Sequence, residues 1–205
     1  EQRLDIARQL GKAVHALNRR EVLHQLIHPD NVMIDRHGKV VLVDFGACHL
    51  REGDGHESAG PLARQVGLTE HSAPEYALGA DVSRRSDQYG LASVIYWLLT
   101  GMQPYAQSME QLRTHTDLEL LEYQPARMRN PQVPQILDDA LRRALDPQRT
   151  LRYRRLSELL YALRLPQQDP GKALTPSEAI REPANFWQGV AGILLLLLVL
   201  SWLLK

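Results

Sequence analysis

The chain has 205 residues, enough for one domain and a little more. Lysine plus arginine equals aspartate plus glutamate at 24 each, so no charge excess points to nucleic acid or another polyanion as a partner. The single cysteine, Cys48, excludes an internal disulfide and reads as a small buried hydrophobe in a reducing compartment. The chain opens at Glu1 with no charged and apolar leader, and its first residues read as a helix in mid-domain, as in a piece of a longer protein.

In chain order, Leu4, Ala7, Leu10, Val14 and Leu17 recur at helical spacing and predict an amphipathic helix ending near Asn18. Two short β-branched runs, 32–34 and 40–43, flank Asp35-Arg36-His37-Gly38 and predict a hairpin. Residues 47–73 are polar and glycine-bearing with no sustained period, which predicts a long loop of the functional or mobile kind. Ser86 to Thr100 reads as a strongly apolar helix, stopped by Gly101 with Pro104 just beyond. Helical spacing returns at 108–122, 136–145 and 156–163, with Pro131, Pro134 and Pro147 as separators.

Residues 165–185 contain four prolines and read as a linker. Val190 to Leu204 then runs for fifteen residues without a charge, with Phe186 and Trp187 before it and Trp202 near its end. Residues 186–204 would span about 28 Å as a helix, close to the thickness of a bilayer's hydrocarbon core. Six leucines among residues 193–200 leave no polar face, and a tryptophan near each end suits an interfacial belt. The expectation is a single-pass membrane anchor with the preceding portion in the cytoplasm.

Three short stretches carry the chemistry. They are His24-Gln25-Leu26-Ile27-His28-Pro29-Asp30-Asn31, Asp44-Phe45-Gly46 directly after the second hairpin strand, and Ala73-Pro74-Glu75 after the long loop. Asn31 offers a neutral carbonyl oxygen and Asp44 a carboxylate, and the hairpin brings the two ends together. Magnesium takes oxygen ligands and often only one or two carboxylates, with phosphate oxygens completing its shell. Each residue alone also reads as a turn or capping side chain. In this order the three stretches resemble the H-R-D-x-x-x-x-N, D-F-G and A-P-E signatures of protein kinases.

The resemblance covers residues 1 to about 164. It implies a mainly α (α+β) fold, the C-terminal lobe of a protein kinase-like domain, binding ATP and Mg²⁺ through Asn31 and Asp44. It also shows what is altered. The position of the family's catalytic aspartate is Leu26, which accepts no proton, and His28 is the only nearby substitute base. Without general-base assistance turnover falls by about 10² to 10⁴ while nucleotide binding can persist. Gln25 stands where an arginine usually pairs with a phosphorylated loop, although Ser58 and Thr69 remain as hydroxyls there. By the resemblance, His24 is structural, Glu75 pairs with Arg152 (or Arg149), and Asp87 braces the catalytic loop; a helix cap is the other reading of Asp87.

No G-x-G-x-x-G occurs in the sequence, so the glycine-rich loop and phosphate-gripping lysine of the small lobe are expected upstream. The basic run at 152–164, the linker and the apolar end resemble bacterial proteins that fuse a metal-dependent phosphatase to a Ser/Thr kinase-like domain. Two expectations result: a membrane-anchored Ser/Thr kinase domain with weak or absent phosphoryl transfer, or a pseudokinase that regulates an upstream phosphatase or another partner.

Overall fold

The computed structural model describes residues 1–50, 57–58, 68–107 and 111–164. The expected linker at 165–185 and the expected membrane span at 186–204 lie outside the described residues. Among the described residues no helix is long and apolar enough to cross a membrane.

The described chain is mainly helical. Helix α1 (Gln2–Asn18) leads to β1 (Val22–Leu23), then to the hairpin β2 (Val32–Ile34) and β3 (Val40–Leu42). Strands β4 (His49–Leu50) and β5 (Glu57–Ser58) are short pairs, followed by α2 (Pro74–Ala77), β6 (Asp81–Val82) and α3 (Arg84–Thr100). Helices α4 (Ala126–Arg129), α5 (Gln135–Ala144) and α6 (Leu156–Arg164) complete it. Each ladder is antiparallel and two-stranded: β1 with β4, β2 with β3, and β5 with β6.

Helix α3 is the centre. Tyr89, Leu91, Ala92, Ile95 and Tyr96 have no exposed surface, because α1, α4, α5 and α6 pack around it. A helix enclosed on most sides has no need of a polar face. Ser83 starts it, accepting the Arg85 N–H while Ser86 Oγ accepts the Ser83 N–H. Gly101 ends it in the left-handed region at φ 75°. At Gly90 a Cβ would lie 3.2 Å from the Ile27 carbonyl oxygen, so α3 runs directly beneath the loop that carries the first motif.

The hairpin register pairs Val32 with Leu42 and Ile34 with Val40. Val40 and Leu42 face the core. Asp35 Oδ1 shapes the turn by accepting the His37 and Lys39 N–H groups. Gln9 on α1 clamps the hairpin, accepting the Val40 N–H and donating to the Gly38 carbonyl.

One expected helix takes another form. Of the span 108–122, residues 108–110 lie outside the described residues, and His115–Leu120 is a 3₁₀ helix. Asp117 Oδ2 accepts the N–H groups of both Arg113 and Thr114, competing with α-helical bonding. None of its six residues is buried, so no packed stripe favours the longer form.

Candidate active site

The loop from His24 to Asn31 hangs from one carboxylate. Asp87, in the first turn of α3, accepts the His24 N–H at 2.8 Å and the Gln25 N–H at 2.9 Å, one on each oxygen. It does not cap its own helix, a role taken by Ser83. Asp87 is buried, and burial raises its pKa to about 6 despite the two N–H groups that favour the anion. Those bonds hold Gln25 at φ 66°, a left-handed conformation costing about 1–2 kcal/mol for a residue without a short polar side chain.

His24 has no exposed surface. Its Nε2 lies 3.2 Å from the Val43 carbonyl oxygen, which can only accept, so Nε2 carries the proton. Nδ1 is buried without a hydrogen-bond partner. Burial lowers the His24 pKa, the Val43 carbonyl and Asp44 opposing it, and the ring stays neutral. It meets Phe45 edge-on at 5.1 Å between centroids. His24 therefore touches the second motif through the ring pair with Phe45, and the residue just before that motif through the hydrogen bond to Val43.

Asn31 closes the loop. Its Nδ2 donates to the Leu26 carbonyl at 2.9 Å, and its own carbonyl accepts the Val43 N–H at 2.9 Å. The first bond fixes the amide orientation and leaves Oδ1 as the atom able to face a cation. The second ties Asn31 to Val43, the residue directly before Asp44. Asp44 is exposed, at φ 60°, with Oδ1 accepting the Gly46 N–H at 3.2 Å. Among the described residues no group of three or more His, Cys, Asp or Glu could hold a metal by itself. One carboxylate and one amide oxygen fit a magnesium ion that arrives with phosphate oxygens, and do not fit a free-standing metal site.

Leu26 is 5% exposed and packs in a small apolar cluster with Ala47 and Tyr76, the last of which also packs against the main core. The Leu26 side chain offers no group that could accept a proton. His28 lies two residues on, its Nδ1 3.8 Å from Asp30 Oδ2, with Asp30 fully turned to solvent.

Glu75 and Arg152 form a buried, two-pronged ion pair at 2.8 and 2.9 Å. Ser86 Oγ donates to Glu75 Oε1 at 2.7 Å. The remaining guanidinium N–H groups go to the carbonyls of Asp146, Arg85 and Pro147, so all five donors are used. Burial alone would raise the Glu75 pKa, but the Arg152 charge and these bonds outweigh it and hold the carboxyl below its ordinary value. Arg149 donates instead to the Asp81 carbonyl.

Sequence reasoning missed a second polar group beneath the site. His71 is buried, with Nδ1 2.9 Å from Ser93 Oγ and Nε2 3.3 Å from Gln103 Nε2. Burial lowers its pKa to about 4. Ser93 and Gln103 are far from His71 in sequence, so no local spacing could join them. Thr69 is bonded to Ser72, and the side chain of Ser58 lies outside the described residues.

The protein kinase domain family profile matches residues 1–180. The chain is 32% identical over 141 residues to the serine/threonine-protein kinase PknD of Mycobacterium tuberculosis, covering 68% of the chain and 21% of that protein. It is 30% identical over 181 residues to the serine/threonine-protein kinase PknD of Chlamydia muridarum, covering 78% of the chain and 19% of that protein. To the serine/threonine-protein kinase PknH of Mycobacterium bovis it is 29% identical over 188 residues, covering 92% of the chain and 31% of that protein. The chain thus spans a fifth to a third of the length of these curated relatives.

Proposed function

This chain belongs to the protein kinase domain family, and from that membership we propose that it is the C-terminal lobe of a membrane-anchored Ser/Thr kinase domain. In this reading it receives Mg²⁺-ATP at Asn31 and Asp44 and transfers phosphate weakly or not at all. The observation that carries the reading is Leu26, buried against Ala47 and Tyr76 at the position of the base.

The family's chemistry needs positioning and charge neutralisation more than covalent assistance. When bound, the magnesium nucleotide supplies the phosphoryl group and most of the counter-charge. Asp44 contributes a carboxylate at the mouth of the hairpin, and Asn31 a neutral oxygen whose orientation the Leu26 carbonyl fixes. Asp87 keeps the loop in register by holding two consecutive N–H groups. Nothing at Leu26 takes the proton from a substrate hydroxyl, and His28 is the nearest group with a titratable nitrogen.

The glycine-rich loop and lysine come, in this proposal, from a small lobe encoded upstream. A metal-dependent phosphatase beyond it is the partner suggested by the tail. Residues 186–204 anchor the protein with the kinase-like portion in the cytoplasm. The buried Leu26 equally favours a pseudokinase that binds nucleotide and regulates its partner without turnover.

The test is phosphate transfer from ATP to a general protein substrate by the natural protein with its small lobe, compared with Leu26→Asp. An inactive natural form with activity restored by the aspartate supports a site whose base has been replaced. Comparable turnover in both forms refutes the role assigned to Leu26. Alongside it, Asp44→Ala should abolish the magnesium-dependent rise in melting temperature on adding ATP; an unchanged rise refutes the metal assignment.

A further inference from the structure

On the side of the fold where α1 meets α6, a cavity of about 210 Å³ is lined by Arg8, Lys12, Leu160, Leu163 and Arg164. Among the described residues three cations line it and no carboxylate does. Among the described residues none of the three has an ion-pair partner. The acids on the same helices point elsewhere. Asp5 lines a different cavity beside the hairpin, and Glu158 accepts the Arg155 N–H at the opposite end of α6.

Arg8 is partly fixed, because its Nε donates to the Leu163 carbonyl at 2.8 Å. That bond covers one of the open carbonyls at the α6 C-terminus. The residual partial charge there, about half a unit negative, is small against three full cations. The floor is apolar: Leu160 and Leu163 are buried, and Leu160 sits so close to α1 that a Cβ on Gly11 would come within 2.4 Å of it. Tyr161 is 65% exposed and three residues before Arg164 on the same helix face.

We propose that this cavity seats the headgroup phosphate of an anionic phospholipid. Arg8, Lys12 and Arg164 contact the phosphate, while the leucine floor and the Tyr161 ring face the start of the acyl region. Cations alone would suit any phosphate; the apolar floor and the amphipathic exposed ring favour the lipid. Position agrees. Arg164 is 22 residues before Phe186, so a membrane-inserted 186–204 keeps it within about 75 Å of the bilayer whatever path the chain takes. In this respect the proposal rests on the anchor reading above, and the experiment separates the two.

The full chain is partitioned onto neutral phosphatidylcholine vesicles and onto vesicles containing about 30% phosphatidylglycerol. Binding to neutral vesicles reports the anchor; preference for the anionic ones reports the cavity. A basic residue at an anionic surface is worth about fivefold in partitioning, so Lys12→Glu with Arg164→Glu should cut the preference by about thirtyfold or more. Both side chains are exposed, which spares the fold. The same charge change at Arg127 and Arg129 on α4 should leave most of the preference intact. If the two double variants behave alike, the effect is diffuse electrostatics and the site is refuted. Preference unchanged in Lys12→Glu/Arg164→Glu also refutes it, whether the cavity is empty or filled by the chain's own residues. If the natural chain shows no preference for the anionic vesicles while inorganic phosphate raises its melting temperature and not that of Lys12→Glu/Arg164→Glu, the cavity takes free phosphate and the lipid assignment falls.

Discussion

Ser86 and Asp87, neighbours in the first turn of α3, hold two regions of opposite character. Ser86 reaches the Glu75–Arg152 pair, where both carboxylate oxygens and all five guanidinium donors are matched. Asp87 reaches the loop at His24 and Gln25, where one residue sits at positive φ and a buried His24 nitrogen lacks a partner. Leu26, next in the chain, is buried against Ala47 and Tyr76, and Asp44, after the hairpin, lies exposed at positive φ. On the function proposed above, the frame of a phosphoryl-transfer site and its reacting groups are thus separable. The frame persists because it is part of the core, and a core interaction is tested by stability, not by turnover.

The largest effect should come from breaking the matched region. Arg152→Met leaves the Glu75 carboxylate buried without its counter-charge, and the expected loss is about 3–5 kcal/mol in urea unfolding followed by circular dichroism. Adding Glu75→Gln to that variant should recover part of the loss, since the uncompensated charge is then gone. A loss below about 1 kcal/mol for Arg152→Met would mean that the pair does not organise the frame.

Next in size is the pH dependence of the polar group under the loop. The folded-state pKa of His71, about 4, lies below its ordinary 6.5. The unfolded chain therefore binds a proton first as pH falls, and His71's contribution, complete above pH 6.5, is lost towards pH 4. Between pH 7 and 4.5 that loss is about 2.5 kcal/mol. Asp87 works in the other direction: its raised pKa favours the folded state as pH falls from about 6 towards 4. The natural chain shows these contributions summed with those of His24 and Glu75, so the His71 part must be isolated with His71→Gln. The stability gap between natural and variant protein should narrow by about 2.5 kcal/mol over that interval. A gap that does not change with pH would show that His71 titrates normally.

The sequence makes the frame legible for a physical reason. Helix α1, the hairpin and α3 are written in local periodicity, and the expected and observed limits differ by one or two residues at most ends. The three motifs are read in the same way, since the hairpin that joins Asn31 to Val43 is itself local. What spacing could not show is held by long-range contacts. His71 with Ser93 and Gln103, Gly90 under Ile27, and the meeting of Arg8 with Arg164 all join residues distant in the chain. The span 108–122 failed for a different reason: Asp117 satisfies backbone N–H groups by itself, a choice that hydrophobic spacing does not record.

The smallest effect is the sharpest control on the comparison. Asp139 and Arg142 on α5 are also an acid and an arginine, 3.5 Å apart, but their side chains are 50% and 66% exposed. Water and salt screen such a pair, and ordering two side chains offsets most of what remains. Arg142→Ala should change stability by no more than about 0.5 kcal/mol, with any difference fading in 0.5 M salt. Both pairs join a carboxylate to an arginine, so the contrast with Arg152→Met measures what burial and the added hydrogen bonds of the Glu75–Arg152 pair contribute together. Were Arg142→Ala to cost as much as Arg152→Met, charge pairing in general would be holding this fold, and the special standing of the α3 anchor would be lost.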